Sequence, residues 1–595
     1  MKKYIVLIGI LLSQGVLLSQ TIDEVDSLMY KFGFSTYLSH TDRFAAGFDV
    51  FIDKIGNTYV SGNTRDKNFP VTEGAYQTVI NGDKADAFVV KFTPDGKLEF
   101  ATLIGGTKRE HHTGITVDDN GYIYLIGGTH SSDFPVTTGS YDTSFNGEGE
   151  WAGDIYLTKL NPTGTDIIFS TFLGGEKEET SGSKGIRIDS KGNIIIIGVT
   201  LSQDFPLTTG VMDSIDNNWH GFIVKLDTTG SKLLFSKSLG SSRMDGINSF
   251  AIDDNDNIYI SGYTRSSDIP VTDNAIRDEI IMPENRARID HYIAKINAVD
   301  NQISYLTYFA ADGYMSSHIK WTYPNRLLVC GSTGEKGYPV TDNAIRKTGS
   351  GMQDCFIALF NSEDMTLEYS TLFGGSDNEH LMSADFINKD TIVIGGTTSS
   401  ADFPLTKTAL YSEYPSCEKT FNSTYFARKK PFISVIDISN SNVLYSTYLG
   451  SGFVFRLHSD KNGIISFVAE AGQRAEAGST GFPVSRNAIK EPPTYLMVGQ
   501  LVIDKPINNK ILESYVGVYE IREGVNLTVS KEGKQMKAQV SSQDQFEIYP
   551  ETESLFYMKI GEAQFRFNTN TDGKVESMTV IQGGTETICI KLEFN

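Results

Sequence analysis

Phe69-Pro70-Val71-Thr72 decides the fold, because the phrase keeps returning. It comes back as Phe134-Pro135-Val136-Thr137, Phe205-Pro206-Leu207-Thr208, Ile269-Pro270-Val271-Thr272, Tyr338-Pro339-Val340-Thr341, Phe403-Pro404-Leu405-Thr406 and Phe482-Pro483-Val484-Ser485. Its prolines, at 70, 135, 206, 270, 339, 404 and 483, are spaced by 65, 71, 64, 69, 65 and 79 residues. A period of this kind marks a chain assembled from similar supersecondary units rather than folded around one continuous core.

Each copy sits in the same surroundings. Ahead of it lie an apolar run, a tight polar turn and a second run ending in Thr, as in Ile115 to Asp118, Asp119-Asn120-Gly121, and Tyr122 to Thr129. Behind it comes a third run, such as Phe88 to Phe92 or Phe222 to Leu226. A fourth run then closes on Gly: Phe100 to Gly106, Phe169 to Gly175, Tyr369 to Gly375 and Tyr445 to Gly450. Short apolar runs bounded by Gly, Asn and Asp read as antiparallel strands joined by hairpins. A four-stranded sheet cannot bury both faces alone, but sheets stacked radially bury them against each other.

The Phe-Pro-Val/Leu-Thr phrase and the Ser-Thr-aromatic/Leu-Leu/Phe-Gly-Gly close resemble the seven-bladed β-propeller repeat family of secreted bacterial proteins, over roughly residues 30 to 503. The resemblance implies the fold and leaves function open, since propellers host enzymes, lectins and scaffolds alike. Phe34 to Leu38 match a fourth strand yet come first, while the seventh repeat runs out after Tyr495 to Ile503. The N-terminal strand is therefore expected to complete the last blade and cover its open edge.

Residues 1–20 read as a secretory leader, with Lys2 and Lys3 ahead of the apolar run Ile5 to Leu12. Export to the periplasm or cell surface is expected, with no membrane span. The propeller is assigned to 21–505 and a small β domain to 506–595. Tyr515 to Tyr519, Phe546 to Pro550 and Asp572 to Val575 resemble the barrel-like domain C-terminal to serine β-lactamase-like hydrolases. The hydrolase domain itself has no counterpart here, so the resemblance implies an accessory role. The fold class is all-β: a seven-bladed β-propeller closed by an N-terminal strand, plus a small C-terminal β-barrel-like domain.

A formal charge of −21 argues against a nucleic-acid partner. The four Cys form no zinc pattern, and Cys330 and Cys355 read as buried thiols that a bond would be close enough to join. Asp-rich turns such as Asp253-Asp254-Asn255-Asp256-Asn257 are what tight hairpins require, so no metal or other cofactor is assigned. A monomer is expected.

Chemistry is sought where the first strand of each repeat begins and the second ends, since these positions share one face of a propeller. There the sequence places His111, His130, Tyr314, His318 and His380 as candidate acid–base groups. It places Arg65, Arg109, Arg243, Tyr263, Arg265 and Arg456 as candidate substrate-binding groups. Arg neutralises a carboxylate, and His or Tyr moves a proton beside it, as lyases and dehydratases acting on uronic acids require. The expectation is a propeller handling an anionic poly- or oligosaccharide, with carbon–oxygen lyase chemistry as its catalytic form. Two alternatives stay open: a non-catalytic glycan-binding or adhesion module, and a protein-interaction scaffold.

Overall fold

A computed structural model describes residues 30–38, 46–147, 149, 153–208, 218–281, 289–311, 313, 317–322, 325–334, 337–412, 430–449, 452–460, 463–471, 496–503, 509–533, 535–541, 543–550, 554–558, 563–582 and 585–592. The expected leader at 1–20, Tyr314, Cys417 and the seventh phrase at 482–485 lie outside these residues. The chain divides into two compact units, 1–503 and 504–595.

In the first unit, seven four-stranded antiparallel sheets follow one another. The first strands of blades 1 to 7 are Ala46–Ile52, Glu110–Val117, Glu179–Ile188, Asp245–Ile252, Ser317–Thr322, Glu379–Asn388 and Gly452–Ser459. These strands contact one another around the ring and so line its central channel. Blade 7 takes its fourth strand from the N-terminus. Tyr30–Tyr37 pairs antiparallel with Leu496–Ile503, from Tyr30 opposite Ile503 to Tyr37 opposite Met497. That exchange fixes the ends of the ring to each other and removes a free sheet edge.

The recurring phrase is a clamp. Its aromatic ring is buried on the third strand of its own blade. Phe69 lies 4.7 Å from Phe88, and Phe134 lies 4.4 Å from Tyr156, between ring centroids. Phe205 on Phe222 and Phe403 on Phe432 repeat the contact at 4.4 Å. The Thr then grips the fourth strand at two points. Thr72 N–H donates to the Ala101 carbonyl at 3.0 Å, and the Ala101 N–H donates back to Thr72 Oγ1 at 3.1 Å. Thr137 does the same to Ser170 and Thr406 to Ser446. Proline fixes the turn between ring and hydroxyl and gives up no ladder hydrogen bond there.

Blades meet through buried polar joints as well as apolar cores. At the joint of blades 1 and 2, Glu110 Oε1 accepts from Thr129 Oγ1 at 2.8 Å and Ser131 Oγ at 2.7 Å. Its other oxygen faces Asp86 Oδ1 of blade 1. Gly105 leaves the room: a Cβ there would lie 2.6 Å from Asp86 Oδ1 and from Glu110 Oε2. Burial pushes Glu110 up to about 8 and Asp86 up to about 6. Asp154 with Glu179, and Asp354 with Glu379, repeat the joint beside Gly174 and Gly374. At the joint of blades 3 and 4, His220 faces Asp245. In blade 4, Arg277 holds Asp290 with two hydrogen bonds of 2.7 and 2.5 Å.

Cys330 and Cys355 are buried thiols, each paired across strands with another residue, Ile357 and Ser332 respectively. The hairpin carboxylates are used locally: Asp118 accepts from Asn120 N–H at 2.9 Å, Tyr122 N–H at 3.0 Å and the Tyr124 hydroxyl at 3.0 Å. Among the described residues no His, Cys, Asp and Glu group is placed to hold a metal ion. Nor is any helix there long and apolar enough to cross a membrane.

The second unit begins with a short helix, Asn509–Tyr515, and closes as an eight-stranded barrel. Its first strand, Gly517–Arg522, pairs with its last, Thr585–Lys591, through Tyr519 opposite Lys591. Tyr519, Met536, Phe556, Phe565, Phe567 and Met578 are buried together and fill the interior.

Candidate functional site

One hydrogen bond defines the upper face of the propeller. Just beyond the second strand of a blade, a backbone N–H donates to the carbonyl just ahead of the first strand. It runs from His130 to Arg109 in blade 2 at 2.9 Å and from Leu201 to Glu178 in blade 3 at 2.9 Å. It recurs from Arg265 to Met244 in blade 4 at 3.0 Å and from Ser399 to Asn378 in blade 6 at 2.9 Å. Side chains on either side of this bond are neighbours on the rim of the channel mouth.

Arg65, Arg109 and Arg243 are exposed on that rim, on blades 1, 2 and 4. Arg265 stands beside Arg243 on blade 4 and is half-buried, close enough to Tyr263 to act on its charge. In blade 2 the His111 and His130 rings lie 5.3 Å apart, tilted by 46°. His130 is half-buried, whereas His111 is 1% exposed. Its depth has a local cause. His111 pairs across the strands with Gly128, and its imidazole occupies the space where a Cβ would be.

Blade 4 inverts this arrangement. There the glycine, Gly246, is on the first strand, and the ring of Tyr263 on the second strand covers it. Burial raises the Tyr263 hydroxyl to about 12, so it is a neutral hydrogen-bonding group at physiological pH. His318, second residue of the blade 5 first strand, is 7% exposed and pairs with Cys330. His380 is half-buried on blade 6, opposite Thr397. The structure thus brings His111 to His130 and Tyr263 to Arg265, and leaves His318 and His380 on separate blades.

Arg456 is not a rim residue. It lies within the first strand of blade 7, inside the channel, with Nε 4.0 Å from Asp49 Oδ1 of blade 1. Asp49 accepts further from the N–H groups of Val50 at 3.0 Å and Ile115 at 3.1 Å. Burial pulls Arg456 down to about 10, still a cation at neutral pH, and pushes Asp49 up. Asp385 of blade 6 sits in the same channel, held by Lys320 of blade 5 at 3.1 Å and by His458 Nδ1 of blade 7. Burial works against its charge, but Lys320 and His458 hold Asp385 well below the usual carboxylate range. Arg187 of blade 3 completes the group and is within electrostatic reach of both Asp49 and Asp385.

Apart from Arg456, this channel group was missed by reading loop ends alone. Its signal in the sequence is a charge set among apolar neighbours in a first strand: Ile186-Arg187-Ile188 and Ala384-Asp385-Phe386.

A β-propeller repeat family profile matches residues 99–135, and a domain of unknown function, DUF3471, matches residues 503–590. An uncharacterized WD repeat-containing protein of Acanthamoeba polyphaga mimivirus is 26% identical over 235 residues. That alignment covers 35% of this chain and 16% of the viral protein. The Neurospora crassa Pan2 WD40 domain superposes at a TM-score of 0.38 and 10% identity, covering 81% of this chain and 99% of that one. The polysaccharide lyase Uly1 superposes at 0.37 and 10%, covering 81% and 98%. A Dyadobacter fermentans protein of unknown function does so at 0.36 and 11%, covering 63% and 96%. Superpositions this loose carry no inference about chemistry. The repeat match and the seven four-stranded sheets agree on the fold of the described residues of the first unit: a β-propeller built from repeats.

Proposed function

We propose that this chain is an exported carbohydrate-binding propeller whose upper face recognises an anionic, uronic-acid-containing poly- or oligosaccharide. One observation carries the reading. On a chain of formal charge −21, the rim of blades 1, 2 and 4 presents Arg65, Arg109 and Arg243, all exposed, with Arg265 beside them. Guanidinium groups match carboxylates in a planar, two-point geometry. An exposed pair of this kind contributes only about 0–1 kcal/mol. Firm binding therefore needs several arginines engaged at once, which a repeating acidic polymer supplies and a single sugar does not.

The test is calorimetric titration of the protein with a polyuronate and with an uncharged glucan of equal length. The polyuronate is expected to bind and the glucan not to. Combining Arg109→Ala with Arg243→Ala is expected to weaken binding at least about tenfold, the loss of about 1.4 kcal/mol. Equal binding of the two polymers contradicts the reading.

A second reading, lyase action, is favoured by the 5.3 Å approach of His111 to His130. In it, His130 takes the proton beside the uronate carboxylate, an arginine balances the charge that develops, and the carbon–oxygen bond to the leaving sugar breaks as its oxygen takes that proton from His130. The new double bond absorbs in the ultraviolet, so its appearance, abolished by His130→Ala, separates turnover from binding. The C-terminal barrel is proposed to be an accessory domain.

A further inference from the structure

We infer that the central channel binds a small oxyanion, a carboxylate or a phosphate, through the Arg187 guanidinium, with Arg456 and Lys320 adding positive charge. The site is distinct from the rim. The three cations come from blades 3, 7 and 5 and meet two carboxylates, Asp49 and Asp385, from blades 1 and 6. These five side chains carry one more positive than negative charge inside a strongly acidic protein, where low-dielectric walls focus the field on an entering anion.

The hydrogen bonds show which cation is left for a ligand. Asp385 is occupied by Lys320, by His458 and by the N–H groups of Phe386 at 2.8 Å and Ser459 at 3.2 Å. Asp49 is occupied by two backbone N–H groups, with Arg456 at 4.0 Å. Arg187 donates to its neighbour's carbonyl, Ile186 O, at 2.7 Å. Among the described residues no carboxylate lies within ion-pairing distance of it. Its guanidinium lies 5.6 Å from the centre of the Phe250 ring, an arrangement that orients a planar cation without using its N–H groups. Half-buried, it remains reachable from the solvent in the channel. A guanidinium has five N–H donors. Had the cluster been only a structural plug, Arg187 would be expected to take Asp49 or Asp385 directly, since an unpaired charge in such a place is costly.

The test uses the full chain and two probes, sodium glucuronate for a carboxylate source and inorganic phosphate for the other. Saturable one-to-one binding of either probe is expected. Arg187→Gln is expected to weaken it at least about tenfold, and Lys232→Ala on an exposed outer hairpin to leave it within about twofold. Binding of neither probe, or binding indifferent to Arg187→Gln, overturns the inference. Should Arg187→Gln fail to fold, anomalous scattering from wild-type crystals grown in selenate decides. A peak beside Arg187 supports the site, and none there refutes it. Inorganic phosphate carries no uronate, so its response to Arg187→Gln is read apart from the rim.

Discussion

Glu110 Oε2 and Asp86 Oδ1 face each other across the joint of blades 1 and 2, each 2.6 Å from where a Cβ on Gly105 would lie. Burial pushes Glu110 up to about 8 and Asp86 up to about 6, so Glu110 keeps its proton near neutral pH. Two charged carboxylates at this separation would repel, so the joint depends on one of them staying neutral. Glu379, raised to about 8, and Glu179, raised to about 7, place the same demand on two further joints.

These shifts have a sign. The folded pKa of Glu110 lies above its ordinary value of 4.5, so the native protein binds the proton more tightly than the unfolded chain. Its contribution to stability is full below about 4.5 and drains away as pH rises through about 8. Glu110→Gln keeps a donor for Asp86 without a titrating proton. Its thermal midpoint is therefore expected to fall less than that of the wild type between these limits. The difference is on the order of 1–3 kcal/mol. Parallel curves for the two proteins would show that Glu110 does not keep its proton near neutral pH.

Gly128 and His111 are one unit in the same sense. A Cβ at Gly128 would collide with the imidazole. Gly128→Ala is expected to turn His111 out of its niche, break the contact with His130 and cost about 1–3 kcal/mol. Histidine ring resonances in NMR spectra report both rings, and unchanged His111 and His130 signals would count against the packing described.

In the channel, Asp385 answers to Lys320 and His458 at once. Asp385→Ala leaves both in place without their counter-charge, and a loss of about 3–5 kcal/mol in urea unfolding is expected. A loss under about 1 kcal/mol would mean that water already screens the group. Because its folded pKa is depressed below 3.8, the wild-type contribution is present above that value and is lost only in stronger acid.

The C-terminal barrel closes on itself and fills its own core, with Tyr515 stacked 4.2 Å from Phe567. Residues 504–595 expressed alone are expected to unfold cooperatively, with a β-type circular dichroism spectrum. A disordered spectrum would show that the barrel needs the propeller.

The repeat made the propeller legible before any coordinates. Phe-Pro-Val-Thr recurs because a blade needs an apolar side chain, a ring in all the described copies but Ile269, on its third strand and a hydroxyl on its fourth. Closure was legible too, since Phe34 to Leu38 spell a fourth strand in the wrong place. The use of the closing Gly-Gly was not legible. Gly105 is required by Glu110, the first residue of the next blade's first strand, and no local pattern announces a carboxyl pair that folding assembles. The loop ends hold Arg65, Arg109, Arg243 and His130. Arg456 sits deeper because it is the fifth residue of Gly452–Ser459, whereas the rim arginines precede a first strand or follow a second. His111 and His318 are buried for reasons of packing that charge alone does not reveal.

The most direct measurement is a crystal structure of the protein with an acidic oligosaccharide. The account predicts the sugar on the upper face, its carboxylates in hydrogen-bond reach of Arg109 and Arg243 and its backbone passing His130. A sugar bound on the hairpin face or the C-terminal barrel, with the rim arginines untouched, would contradict it.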